Sequence, residues 1–180
     1  MTLNLALVLE SGFLLAMAIA AIRDLAAWSL PNWLTLCVAL GYLAWAWASG
    51  ASWSMVGWSL AAGILVLGIG YLFFTLNLWG AGDGKMAAAV ALWIGLNFDL
   101  FRFFLVVSLA GGVLAIVSLL IHAATGKPEV PPGDTPGLDA ARRNPLKAKA
   151  RYGAAIAIGG LDFWLRHSQA VCLFTVCPIH

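Results

Sequence analysis

Eight acidic residues occur in a chain of 180, and two of them, Asp24 and Asp83, stand in segments suited to chemistry. Asp83 lies in Gly80-Ala81-Gly82-Asp83-Gly84-Lys85, where three glycines open backbone conformations closed to other residues and let a second strand approach. Asp24 is followed by Leu30-Pro31-Asn32, and a proline there can open a helix at its first turn. A pair of carboxylates has a definite use. Held a few ångströms apart, the two cannot both ionise readily and titrate as one unit sharing a proton. The ionised member can take a proton from water while the other protonates a carbonyl oxygen, and together they hydrolyse a peptide bond. Each feature alone has a plainer explanation, since Asp-Gly is an ordinary turn and Asp24 can pair with Arg23. The pair matters only if the rest of the chain brings both residues to one place.

The composition says where that place is. Only 18 residues are charged, against about 45 for a soluble domain of this length. Hydrophobic residues make up 62% of the chain, and the mean hydropathy is +0.92. So few charges cannot cover the surface of so small a globule, which excludes a soluble enzyme, a nucleic-acid binder and a disordered chain. An integral membrane protein remains. Three cysteines without a C-x-x-C pair indicate neither a zinc knuckle nor a disulfide scaffold. Cys37 reads as packing in an apolar run, and Cys172 and Cys177 can pair if their end faces an oxidising compartment.

A helix needs about 20 apolar residues to cross ~30 Å of hydrocarbon. Candidates are Leu3–Ile22, about Pro31–Ser49, about Met55–Leu78, a hairpin within Met86–His122 broken at Asn97, Asp99 and Arg102, and a last span from Lys147–Tyr152 to about Leu165. The expected fold is therefore all-α: one polytopic transmembrane bundle over 1–180 with about six helices. Ala123 to Ala150 holds five of the seven prolines and reads as a flexible loop. If the spans alternate, Arg23, Lys85, Lys127, Arg142, Arg143, Lys147, Lys149 and Arg151 share one side, and only Arg102 and Arg166 take the other. The richer side is cytoplasmic by the positive-inside rule, which puts both termini outside. Trp28, Trp33 and Trp79 then belong to an inner aromatic belt and Trp45, Trp47, Trp53 and Trp58 to an outer one, while Trp93 and Trp164 read as lipid-facing. Two crossings separate Asp24 from Asp83, so both lie on the cytoplasmic side.

At these residues the chain resembles the type IV prepilin peptidases, membrane aspartyl proteases with a GxGD motif. Gly80 to Lys85 matches the family's G-x-G-D-x-K. Asp24 with Leu30-Pro31-Asn32 matches D-L-x-x-x-x-I-P-N, with Leu for Ile, and Tyr152-Gly153-Ala154-Ala155-Ile156 is similar to a third element, P-Y-G-x-A-I. The resemblance implies that Asp24 and Asp83 are the catalytic pair, that Gly80, Gly82, Gly84, Lys85, Pro31 and Asn32 shape the site or bind substrate, and that no metal or cofactor is needed. It implies a prepilin or pseudopilin substrate, cut at the cytoplasmic face of the bacterial inner membrane. Without paired cysteines, the chain looks like the short, cleavage-only type of Flp/Tad pili, with no N-methyltransferase activity.

Two departures stand out. Ala26-Ala27-Trp28-Ser29 replaces a stretch that is often basic, and Arg151 stands where the third element usually has Pro. Lys85 can either favour the ionised pair or snorkel to lipid phosphate. Glu10 is read as lying near the outer headgroups rather than marking a partner inside the bundle. Asp99 and Arg102 read as a hairpin turn. Arg142, Arg143, Lys147 and Lys149 are expected against anionic lipid, and the three histidines have no metal-ligand spacing. Six spans with intramembrane acids also suit a small proton-coupled transporter, and a non-catalytic pilus or secretion assembly factor is a third possibility. The partners expected are thus a prepilin and the bilayer, with no nucleic acid; oligomeric state is left open.

Overall fold

The computed structural model describes residues 2–27, 30–76, 79–125 and 152–167. These form six helices and, among the described residues, no strand: α1 (Thr2–Ala27), α2 (Asn32–Ser49), α3 (Trp53–Thr75), α4 (Ala81–Ile94), α5 (Phe98–Thr125) and α6 (Tyr152–His167). The all-α expectation and the count of six helices hold. Stretches within three of them, Leu5–Ala26, Trp53–Thr75 and Phe98–Val117, are long and apolar enough to cross a membrane. α4, with 14 residues, reaches only about 21 Å, short of a full hydrocarbon core. Residues 126–150 of the expected loop lie outside the described residues, as do Trp28, Cys172 and Cys177; Ala123 to Thr125 belong to α5.

The helix ends follow local chemistry. Pro31 caps α2 in an extended conformation, and Gly50 closes it with φ 69°, a left-handed geometry that glycine enters without strain. The Ser52 hydroxyl accepts from the Met55 N–H at 3.2 Å to start α3. The break expected at Asn97, Asp99 and Arg102 falls slightly earlier. Gly95 ends α4 with φ 78°, the Asn97 side chain accepts from the Asp99 N–H at 2.9 Å, and Arg102 is already inside α5.

One stripe of α1 explains how it packs. Ala6, Glu10, Phe13, Met17, Ala20 and Asp24 recur at spacings of three and four and are all buried, while Val8, Leu15 and Ile22 recur every seven residues and are exposed. Such a stripe is the inward face of a helix, and the exposed one is what lipid would meet. α4 is the centre of the bundle. It contacts α2, α3, α5 and α6, and Gly84, Met86 to Ala91 and Ile94 are buried. Four of those residues are alanines, which let neighbouring backbones come close. Backbone meets backbone at Gly70 of α3 and Gly84 of α4, where a Cβ added at Gly70 would lie 2.9 Å from the Gly84 Cα.

Several expectations are corrected here. Glu10 is not at the outer headgroups: it is 8% exposed, its carboxylate accepts from Trp45 Nε1 at 3.2 Å, and its carbonyl accepts from Trp164 Nε1 at 3.0 Å. Its phase on α1 carries it inward. Trp45, Trp93 and Trp164 are accordingly half-buried, each with its indole N–H turned to a partner within the bundle. Trp93 donates to the Val38 carbonyl at 3.0 Å and packs on Phe13, Tyr42 and Trp45 with ring centroids 4.8 to 5.9 Å apart. Trp33, Trp47, Trp53 and Trp58 are exposed, as belt residues should be. Cys37 is exposed instead of packed, because α2 turns it away from the core.

Overpacking where α3 meets α4 should be measurable. Gly70→Ala forces a methyl against backbone and is expected to cost about 1–3 kcal/mol, seen as a lower melting temperature in detergent. Gly68→Ala, where a Cβ meets nothing within 4 Å, is expected to leave it unchanged.

Candidate functional site

Asp24 stands in the last turn of α1, within the helix rather than just past it, on the buried stripe, and only 6% of it is exposed. A carboxylate removed from water needs donors, and one comes from α6. The Ala154 N–H donates to Asp24 Oδ2 at 2.8 Å. Ala154 is the third described residue of α6. Gly153 lies against the same side chain: a Cβ there would sit 2.8 Å from Asp24 Cγ.

Asp83 is in the first turn of α4 rather than in a loop before it, because the helix begins at Ala81. Its N–H donates to the Gly80 carbonyl at 3.1 Å, and its carboxylate turns back over Gly80, where an added Cβ would come within 2.8 Å of Oδ2. Side chain and helix N-terminus are thus arranged as an acid in a first turn prefers. The glycines of this segment act differently from the expectation. Only Gly50 and Gly95 have positive φ among the described residues, so Gly80, Gly82 and Gly84 serve close approach and not unusual backbone geometry. Gly84 makes room for α3 at Gly70, and Gly82 faces the Leu30 carbonyl, with its would-be Cβ at 3.5 Å.

Three segments distant in sequence therefore meet at one end of the bundle. Leu30 lies at Gly82, and Lys85 Nζ donates to Asn32 Oδ1 at 3.5 Å, which joins the start of α2 to the start of α4. Pro31 holds the entry to α2 beside them. The Tyr152 ring packs on Trp79 at 5.9 Å, so the first turn of α6 touches the segment leading into α4 on one side and Asp24 on the other. Tyr152, Gly153 and Ala154 were visible in the sequence only as a motif. Their contribution here is a backbone donor and an absent side chain, which leave no chemical signature in residue type. Lys85 is exposed and also stands at the end of an apolar groove of about 510 Å³ between α2 and α3, floored by Ala88, Ala89 and Leu92 of α4. Among the described residues no three His, Cys, Asp or Glu side chains are grouped to hold a metal ion.

The opposite end is built differently. Arg166 pairs with Asp99 at 3.1 Å and Asp162 at 2.9 Å, Arg102 pairs with Asp162 at 3.3 Å, and His167 Nε2 lies 3.3 Å from Asp99. This network ties the start of α5 to the end of α6. Asp99 and Arg102 thus belong to a turn, as expected, and also to a clamp whose other half, Asp162 and Arg166, lies about 60 residues further along and had no signal in spacing.

The sequence model of the type IV leader peptidase family matches residues 12–116. That range includes Asp24, Pro31, Asn32 and Gly80 to Lys85 and stops before α6. No curated protein and no solved structure matches the chain.

The clamp at the far end is partly exposed, and exposed ion pairs contribute little. Arg102→Gln is expected to cost less than about 1 kcal/mol, measured as a small fall in melting temperature that 1 M salt reproduces in the unaltered protein.

Proposed function

This chain belongs to the type IV leader peptidase family, and we propose that it hydrolyses prepilin leaders with Asp24 and Asp83 as its catalytic pair. The observation that carries the proposal is the convergence at one end of the bundle. Asp24 is buried and held by the Ala154 N–H, and the segments that carry Asp83, Pro31 and Asn32 gather beside the same turn of α6.

In the proposed reaction one carboxylate is ionised and the other protonated. The ionised one takes a proton from a bound water as the water oxygen bonds to the scissile carbonyl carbon. The protonated one gives its proton to the carbonyl oxygen, which forms a neutral tetrahedral diol. Collapse of the diol breaks the C–N bond. The amine nitrogen takes the proton held by the first carboxyl, a diol hydroxyl returns its proton to the second, and the pair regains its single proton. Nothing further is consumed, so no metal or cofactor enters.

The site end is assigned to the cytoplasm. With alternating spans, Arg23, Lys85 and the six cations between Lys127 and Arg151 fall on the site side, and only Arg102 and Arg166 fall on the other. The multi-pass inner-membrane location and the Flp/Tad type of substrate are part of this proposal, as is cleavage without methylation, which suits a chain with no C-x-x-C pair. The apolar groove ending at Lys85 suits a substrate that reaches the site attached to a hydrophobic helix.

Co-expression with a prepilin tests the proposal on a gel. Asp24→Asn and Asp83→Asn are each expected to remain membrane-inserted and to slow leader removal by about 10²–10⁴-fold, the usual worth of a general acid or base. Full processing by either variant would remove that residue from the pair. A transporter or an assembly factor would tolerate both substitutions without any change in prepilin length.

A further inference from the structure

Two properties of the first turn of α6 converge on Asp24. The Ala154 N–H ends 2.8 Å from Oδ2, and Gly153 leaves a space that any side chain would take from the carboxyl, since its Cβ would lie 2.8 Å from Cγ, 3.0 Å from Cβ and 3.0 Å from Oδ1. A helix N-terminus that meets a buried acid in this way is a fixed donor. It presents positive potential at the carboxylate without having to reorient when a proton moves.

We propose that Gly153 and Ala154 are positioning residues: the first turn of α6 holds the Asp24 carboxyl in place for the reaction. The inference rests on the peptidase function proposed above. It adds a residue pair beyond the stretch matched by the family. Among the described residues, the other charged or titratable groups at this end are Arg23 on α1, Asp83 and Lys85 on α4, and Tyr152 on α6; the first turn of α2 brings the neutral Asn32.

The test compares substitutions within α6 in the full-length protein, assayed in detergent with a purified prepilin. Gly153→Ala displaces Asp24 and is expected to lower kcat by about 100-fold with KM unchanged. Gly159→Ala is the control for packing damage. Its Cβ would come within 2.8 Å of Val107 and 2.9 Å of Phe103, an overlap as severe but remote from Asp24, and kcat is expected to hold. Should Gly153→Ala fail to fold, replacing Ala154 by lactic acid keeps the shape and removes only the N–H, with an expected loss of about tenfold or more. Wild-type kcat in Gly153→Ala, or an equal loss in Gly159→Ala, overturns the proposal. Asp24→Asn in the same series separates the two levels. If it is inactive while Gly153→Ala is fully active, the positioning role fails and the peptidase stands. If Asp24→Asn cleaves like the wild type, both fall.

Discussion

A carboxylate buried in an apolar bundle has to be met by hydrogen-bond donors, and the Ala154 N–H is one that this chain brings to Asp24. Without such a donor the acid would protonate or turn outward, since an unpaired charge in a low-dielectric interior is far costlier than one in water. Much of the architecture answers to that bond. α6 must begin beside the end of α1, which requires glycine at 153 for the two helices to come close enough. Small residues continue down α6: Gly153 to Ala157 are all buried, and so are Gly159 and Gly160. Their packing against α1 and α5 fixes where the donor points.

The second constraint is the shortness of α4. A 14-residue helix buried among α2, α3 and α6 brings Asp83 and Lys85 into the structure at its first turn. α4 can be short because alanine and glycine let four neighbours pack around it, and packing rather than helical propensity holds a helix of that length. At the far end, Trp45 and Trp164 hold Glu10, and Trp93 fills the space between α1, α2 and α4. Glu10 and Asp24 lie 14 residues apart on one stripe of α1, so the helix is anchored through an acid near each end. One anchor is a pair of indoles. The other is a helix terminus, whose electrostatic character suits it to chemistry.

The sequence disclosed a good deal of this, for physical reasons. Apolar runs and their breaks gave six helices because helix ends are written in Pro31, Gly50, Ser52 and Gly95. The convergence of the Asp24 and Asp83 segments at one end followed from counting crossings. What escaped notice lay in side-chain phase and in backbone contacts. Glu10 is in register with Phe13, Met17, Ala20 and Asp24, and that spacing of three and four could have placed it inside the bundle; its charge alone suggested the headgroups. The glycines around Asp83 were expected both to open unusual backbone conformations and to allow close approach, and only the close approach is seen, at Gly82 and Gly84. Gly153 and Ala154 act through an absent Cβ and an N–H, which every sequence position can offer and no residue type advertises. The ion pairs of Asp99 and Arg102 with α6 depend on a pairing about 60 residues apart that only the fold creates.

The account stands on Asp24 and Asp83 acting as one unit beside the first turn of α6. An experimental structure with a non-cleavable prepilin analogue bound tests this most directly. The expected result is a scissile carbonyl between the two carboxyl groups, with oxygens of each within hydrogen-bond reach of one shared water, about 2.6–3.2 Å, and the Ala154 N–H still on Asp24. A substrate carbonyl bound elsewhere, or an Asp83 carboxyl too far from Asp24 to share a water in that complex, would contradict it.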